Sequence, residues 1–143
     1  MRKICFVCTG NTCRSPMAEK LMKKHLEKLG IQDVEVSSLG TSVIDGEKLC
    51  DFANNALKAY GIRKSARKAK QLRPNDLKKD ILFITMTNEQ KKFFGQNKNV
   101  FSLGELVGGD DVMDPYGFGQ DVYNQTAKML NDYTYKLAQN LKQ

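Results

Sequence analysis

Apolar residues change their period along this chain, and that alternation restricts the fold more than any other feature. Ile4-Cys5-Phe6-Val7 is a continuous β-branched and aromatic run, suited to a buried strand. Beyond a turn-rich interval, Ala18, Leu21, Met22, His25, Leu26 and Leu29 recur at helical spacing, and Gly30 closes the segment. Val34 and Val36 alternate with polar neighbours as a second strand would. Leu49, Phe52, Ala53, Ala56, Leu57 and Tyr60 form another helical stripe, closed by Gly61. Ile81-Leu82-Phe83-Ile84 is unbroken, the pattern of a strand buried on both faces. A short helix over 89–94 and a strand over 100–103 follow. Tyr123, Ala127, Leu130, Thr134, Leu137 and Leu141 then mark one face of a long closing helix.

Strands alternating with helices imply βαβ units and a parallel sheet covered on both sides. The expected fold is α/β, a single three-layer domain over residues 1–143 around a sheet of about four strands. The length of 143 residues fits one compact domain, and no linker or repeat divides it. The longest apolar run falls well short of the roughly 20 residues that cross a bilayer. Behind Met1-Arg2-Lys3 the apolar stretch is also too short for a signal-peptide core of about 7–15 residues. These features predict a soluble, cytoplasmic chain. In open parallel sheets ligands bind beyond the carboxyl ends of the strands, so the loops after each strand carry the functional reading.

The first such loop reads Cys8-Thr9-Gly10-Asn11-Thr12-Cys13-Arg14-Ser15-Pro16 and leads straight into a helix. Gly10 and Asn11 tolerate left-handed backbone angles, which lets successive amides converge as an anion-binding nest. Ser15-Pro16 resembles an N-cap and first-turn pair, so the helix start adds free N–H groups and its positive dipole end. Arg14 supplies a planar fork for two oxygens of a tetraoxoanion. Cys8 at the mouth of this cradle is expected to have a depressed pKa and to act as a thiolate nucleophile. The loop lacks the Gly-Lys-Ser/Thr ending of a nucleotide-binding P-loop.

The string from Val7 through Glu19 resembles the signature of the low-molecular-weight protein tyrosine phosphatases, and Asp114-Pro115-Tyr116-Gly117 is similar to that family's general-acid loop. The resemblance covers essentially the whole chain, including Ser38-Leu39-Gly40-Thr41. It implies a flavodoxin-like, phosphotyrosine phosphatase I-like sheet, with Cys8 forming a phosphocysteine intermediate and Thr9 to Ser15 cradling the phosphate. In that likeness Arg14 holds the phosphate, Ser15 steadies the thiolate, and Asn11 fixes the loop. It also implies that Cys13 can form a reversible disulfide with Cys8.

Asp114 follows the last strand and thus belongs to the same sheet edge as Cys8; a carboxylic acid there can protonate a leaving group and later activate water. Asp110 and Asp111 are the alternatives. Cys5 and Cys8 have a Cys-x-x-Cys spacing, but residues three apart on a strand point to opposite faces. No second pair has zinc spacing, so neither metal nor cofactor is expected. Cys50 reads as a packing residue, and His25 as a packed residue within its helix.

Thr12 bears on the substrate. Tyrosine-specific members of the family carry an aliphatic residue there, whereas threonine resembles the protein arginine phosphatase branch, as does the stretch from Asp121 to Thr126. A hydroxyl can bond a guanidinium N–H, while an apolar wall suits a phenyl ring. The pocket is expected to comprise Thr12, Val43, Ile44 and Tyr116. Thr12 and the 121–126 stretch favour phosphoarginine, while Tyr116 suits phosphotyrosine equally, which is the alternative; an arsenate-type oxyanion reductase is more distant, because no cysteine follows Cys50. The charge is +7, from 23 Lys plus Arg against 16 Asp plus Glu. The run containing Lys58, Arg63, Lys64, Arg67, Lys68, Lys70, Arg73, Lys78 and Lys79 lacks interleaved aromatics, so it reads as a solvated face and not a nucleic-acid site. The expected partners are phosphorylated proteins, with no nucleic acid and no membrane, and the chain is expected to be a monomer.

Overall fold

In the computed structural model, residues 1–142 are described. Four strands, β1 (Arg2–Cys8), β2 (Val34–Gly40), β3 (Ile81–Thr85) and β4 (Val100–Ser102), form one sheet in the order β2-β1-β3-β4. Every neighbouring pair is parallel, with Cys8 opposite Gly40 and Val7 opposite Thr85. The helices are α1 (Arg14–Lys28), α2 (Asp51–Lys58), α3 (Leu103–Val107) and α4 (Gln120–Leu141). The chain leaves β1 toward β2 and returns on its other side as β3. The carboxyl end of β1 is therefore the topological switch point, where a crevice opens in such sheets.

Alternating side chains of β1 serve two cores. Ile4, Phe6 and Cys8 point toward Met17, Leu21 and Met22 of α1 and Ala127 and Leu130 of α4. Cys5 and Val7 point the other way, with Phe83, Leu72 and Phe94. Cys5 and Cys8 thus lie on opposite faces of the sheet. All four α-helices contribute to the first core. The second face is covered more thinly, by the Leu72 segment and the 3₁₀ turns Pro74–Asp76 and Glu89–Phe94. The helix expected over 89–94 is 3₁₀ because only Phe94 of that run is buried, against Phe83 at 5.1 Å, and Gly95 ends it at φ 58°.

Several elements differ from their sequence patterns. α1 begins at Arg14 with Cys13 as its N-cap residue, so Ser15 lies inside the first turn and its side chain does not cap. α2 covers only part of its stripe: Leu49 is buried ahead of it, and Tyr60 lies beyond its end. α3 was absent from the periodic pattern. Its start is a capping box in which Ser102 Oγ accepts from the Glu105 amide and the Glu105 carboxylate accepts from the Ser102 amide. The long closing helix matches its stripe, with Tyr123, Ala127, Leu130, Thr134 and Leu137 buried. His25 packs edge-on against Tyr135 at 5.3 Å, and its Nε2 lies 3.2 Å from the Asn131 carbonyl. Among the described residues no helix is long and apolar enough to cross a membrane.

Candidate active site

Between Cys8 and Arg14 the backbone makes one turn at the switch point. Asn11, at φ 56°, is the left-handed residue of that turn, while Gly10 keeps ordinary angles. An L-residue in this region costs roughly 1–2 kcal/mol, and asparagine meets that cost by bonding locally. Here Asn11 is fully buried and all its polar groups are used. Its Oδ1 accepts from Arg67 Nη1 and the Lys70 amide, both at 2.9 Å. Its Nδ2 donates to Ser15 Oγ at 2.8 Å and Ser38 Oγ at 3.1 Å.

These bonds impose a direction. The Arg67 and Lys70 groups can only donate, so Oδ1 must face them and Nδ2 must face Ser15. Ser15 Oγ accepts that amide hydrogen and keeps its own hydrogen for Cys8 Sγ, 2.9 Å away. Ser38 Oγ, accepting from Asn11 and Arg67, donates to Glu19 Oε1 at 2.7 Å. Arg67 therefore does not belong to the solvated basic face: its Nη2 also holds the Ser38 carbonyl at 2.9 Å, and its Nε faces Glu19 at 3.7 Å. Burial opposes the Glu19 charge, but Lys23, Ser38 and Arg67 together hold its pKa below the ordinary carboxylate range. Arg67 and Glu19 brace the cradle, a role the sequence reading assigned to neither, although Glu19 closes the signature string. Their partners come from β1's loop, α1 and β2, and no spacing links them.

The loop is also clamped from the side. Thr41 and Ser42 amides donate to the Cys8 and Thr9 carbonyls at 3.0 and 2.9 Å. Gly40 has no room for a side chain, since a Cβ there would lie 2.7 Å from the Thr9 carbonyl oxygen and 2.9 Å from the Asn11 Cβ.

Arg14 is buried and points into the acid loop. Its Nη1 donates to the Val112 carbonyl at 2.9 Å, and its Nη2 lies 3.8 Å from Asp114 Oδ2. A pocket of about 230 Å³ is lined by Cys8, the 9–13 backbone turn, Arg14, Ser42, Ile44, Glu47, Asp114 and Tyr116. The expected pocket residue Val43 is not in this lining. Its side chain packs over Gly40 and its amide bonds Gln71, which turns Ser42 and Ile44 toward the opening instead. The alternative acids lie elsewhere: Asp111 Oδ1 accepts from the Asn88 amide, and the Asp110 carbonyl accepts from Tyr133.

A strand–loop–helix cradle, with a thiol, a guanidinium and a carboxylate around one pocket, is arranged for displacement at a tetraoxoanion. Residues 3–143 match the family model for low molecular weight phosphotyrosine protein phosphatases. The chain belongs to this family. It is 36% identical over 143 residues to the low-molecular-weight protein-tyrosine-phosphatase PtpB of Staphylococcus haemolyticus, covering 96% of this chain and 99% of that one. It is 38% identical over 146 residues to a protein-arginine-phosphatase of Bacillus subtilis, covering 97% and 96%. The structure of a YwlE arginine phosphatase, a cysteine-to-serine mutant with a phosphorylated active-site serine, superimposes with a TM-score of 0.89 at 36% identity, covering 99% and 96%.

In this phosphatase two further thiols adjoin the loop. Cys13 is buried, with its Sγ 3.5 Å from both Cys50 Sγ and the Tyr123 hydroxyl. Cys50 is half-buried at the start of α2, so the packing role expected of it is incomplete. It lines a second cleft with Phe52, Tyr116 and Phe118. The contact with Cys50, and after it burial, raises the Cys13 thiol pKa. Donation from Cys13 lowers that of Cys50, and the Ala53 amide helps against the opposing burial.

Proposed function

We propose that this phosphatase hydrolyses phosphoarginine side chains of proteins, with residues 1–143 acting as one catalytic domain. Thr9 to Ser15 and Arg14 bind the phosphoryl group, Arg14 using the Nε and Nη2 hydrogens that Val112 leaves free. Cys8 Sγ attacks phosphorus while Asp114 protonates the departing guanidine nitrogen, and a phosphocysteine forms. Water, deprotonated by Asp114, then attacks the phosphorus and releases Cys8. The directed Ser15 hydroxyl stabilises negative charge on the sulfur both as it attacks and as it leaves.

The observation that carries the arginine reading is that Thr12 and Glu47 are both among the residues that line the pocket. A hydroxyl and a carboxylate are the acceptor and the counter-charge that a guanidinium seeks. A phosphotyrosine reading is favoured by Tyr116 and Ile44 in the same lining and by the likeness to PtpB. Hydrolysis of matched phosphoarginine and phosphotyrosine peptides by wild type and Thr12→Ile separates the two. Wild type should prefer phosphoarginine, and the substitution should lower the ratio of the two kcat/KM values at least about tenfold. A wild-type preference for phosphotyrosine that Thr12→Ile leaves unchanged would overturn the reading.

Four free thiols suit a reducing compartment, and we place the activity in the cytoplasm, carried out by a monomer. In the same reading Cys13 is the thiol that resolves an oxidised Cys8.

A further inference from the structure

We propose that Cys13 and Cys50 form a redox modification site, an intramolecular disulfide made on exposure to peroxide that ties the nucleophile loop to the start of α2. The two sulfurs lie 3.5 Å apart, so bond formation needs an approach of about 1.5 Å to the usual S–S length. Their segments are already joined, because the Cys50 amide donates to the Thr12 carbonyl at 3.1 Å. The pair is asymmetric in the way such chemistry needs. Cys50 is half-exposed in a cleft that a small oxidant can enter, and it receives hydrogen bonds from Cys13 and the Ala53 amide that favour its thiolate. Cys13 also borders that cleft but is far less exposed, and its contact with Cys50 and its burial keep it protonated. Cys8 is directed elsewhere, to Ser15.

The steps balance with hydrogen peroxide as oxidant. The Cys50 thiolate attacks one peroxide oxygen, an S–O bond forms, the O–O bond breaks, and hydroxide departs to become water. The resulting sulfenic acid is attacked by Cys13 sulfur, which gives up its proton. The S–S bond forms, the S–O bond breaks, and the oxygen leaves as a second water. Two thiols are oxidised, one peroxide is reduced, and a dithiol reverses the bond by exchange. Because Cys13 can enter only one disulfide, its union with Cys50 withdraws it from Cys8.

Peroxide treatment of wild type and Cys8→Ser, alkylation of the remaining thiols and tryptic digestion without reductant test this directly. The Cys50 peptide, residues 49–58, should be recovered joined to the peptide 4–14, with fragmentation locating the bond at Cys13. A dithiol should release both peptides, and Cys50→Ser should abolish the joined species. Recovery of peptide 49–58 unjoined from the folded Cys8→Ser protein would overturn the proposal. So would a bond located at Cys5, or a wild-type product oxidised only within peptide 4–14. The wild-type arm keeps the test valid if the variant folds poorly, and a covalent mass is read whichever phosphorylated residue the enzyme prefers.

Discussion

Asp114 is held on both sides. Its Oδ1 accepts the Tyr116 amide at 3.0 Å, which fixes the turn, and its Oδ2 faces Arg14 at 3.8 Å. A carboxyl so held can deliver a proton to a leaving atom without first reorganising. Asp114→Asn should therefore slow substrates with poor leaving groups by about 10²–10⁴ and activated aryl phosphates much less. A kcat series over leaving groups of rising pKa checks this, and a parallel drop across the series would remove the proton-donor role. Cys8, Asn11, Arg14 and Ser15 were legible because they stand in one short string where a strand gives way to a helix. Arg67 was not legible. Its partners, Asn11, Ser38 and Glu19, meet it only in three dimensions, and its flanking lysines made it look like one more solvated charge.

Elements position the loop through contact with β2. Gly40, opposite Cys8 in the sheet, lets the loop backbone pass where any side chain would strike the Thr9 carbonyl. Gly40→Ala should cost about 1–3 kcal/mol of stability by overpacking. It should also lower kcat by about 10²-fold through displacement of the cradle. Urea unfolding and steady-state rates measure the two effects, and a variant with normal kcat would show that the loop does not depend on this approach. The periodic elements could be read from sequence, since strands and long helices print their burial at fixed spacing. Short ones could not: α3 spans five residues, too few for a stripe, and only its Ser102–Glu105 capping box announced it. The thin cover on the second face leaves as little trace, because Leu72 stands alone between polar neighbours and only Phe94 of the 89–94 run is buried.

For the molecule as a whole, the +7 charge makes acid the adverse direction, since every carboxylate protonated adds to self-repulsion. Glu19 sharpens this. Its folded pKa lies below the ordinary 4.5, so it contributes stability that is complete above that value and lost as pH falls through the folded pKa. His25 acts in the same sense at higher pH: burial lowers its pKa below 6.5, so protonation favours the unfolded chain as pH falls past that value. Urea midpoints measured between pH 7 and pH 3 should fall, and the part of the fall below about 4.5 should be smaller in Glu19→Gln. Equal slopes in the two proteins would rule Glu19 out as a source of acid sensitivity. The contact between Arg14 and the Val112 carbonyl spans 98 positions of the chain. At roughly 5–20 residues per second, a ribosome completes the strand that ends in Cys8 about 5–20 s before it supplies the segment that orients Arg14. The growing polypeptide therefore presents the Cys8 thiol through the 98 further residues of synthesis that separate Arg14 from the carbonyl that orients it.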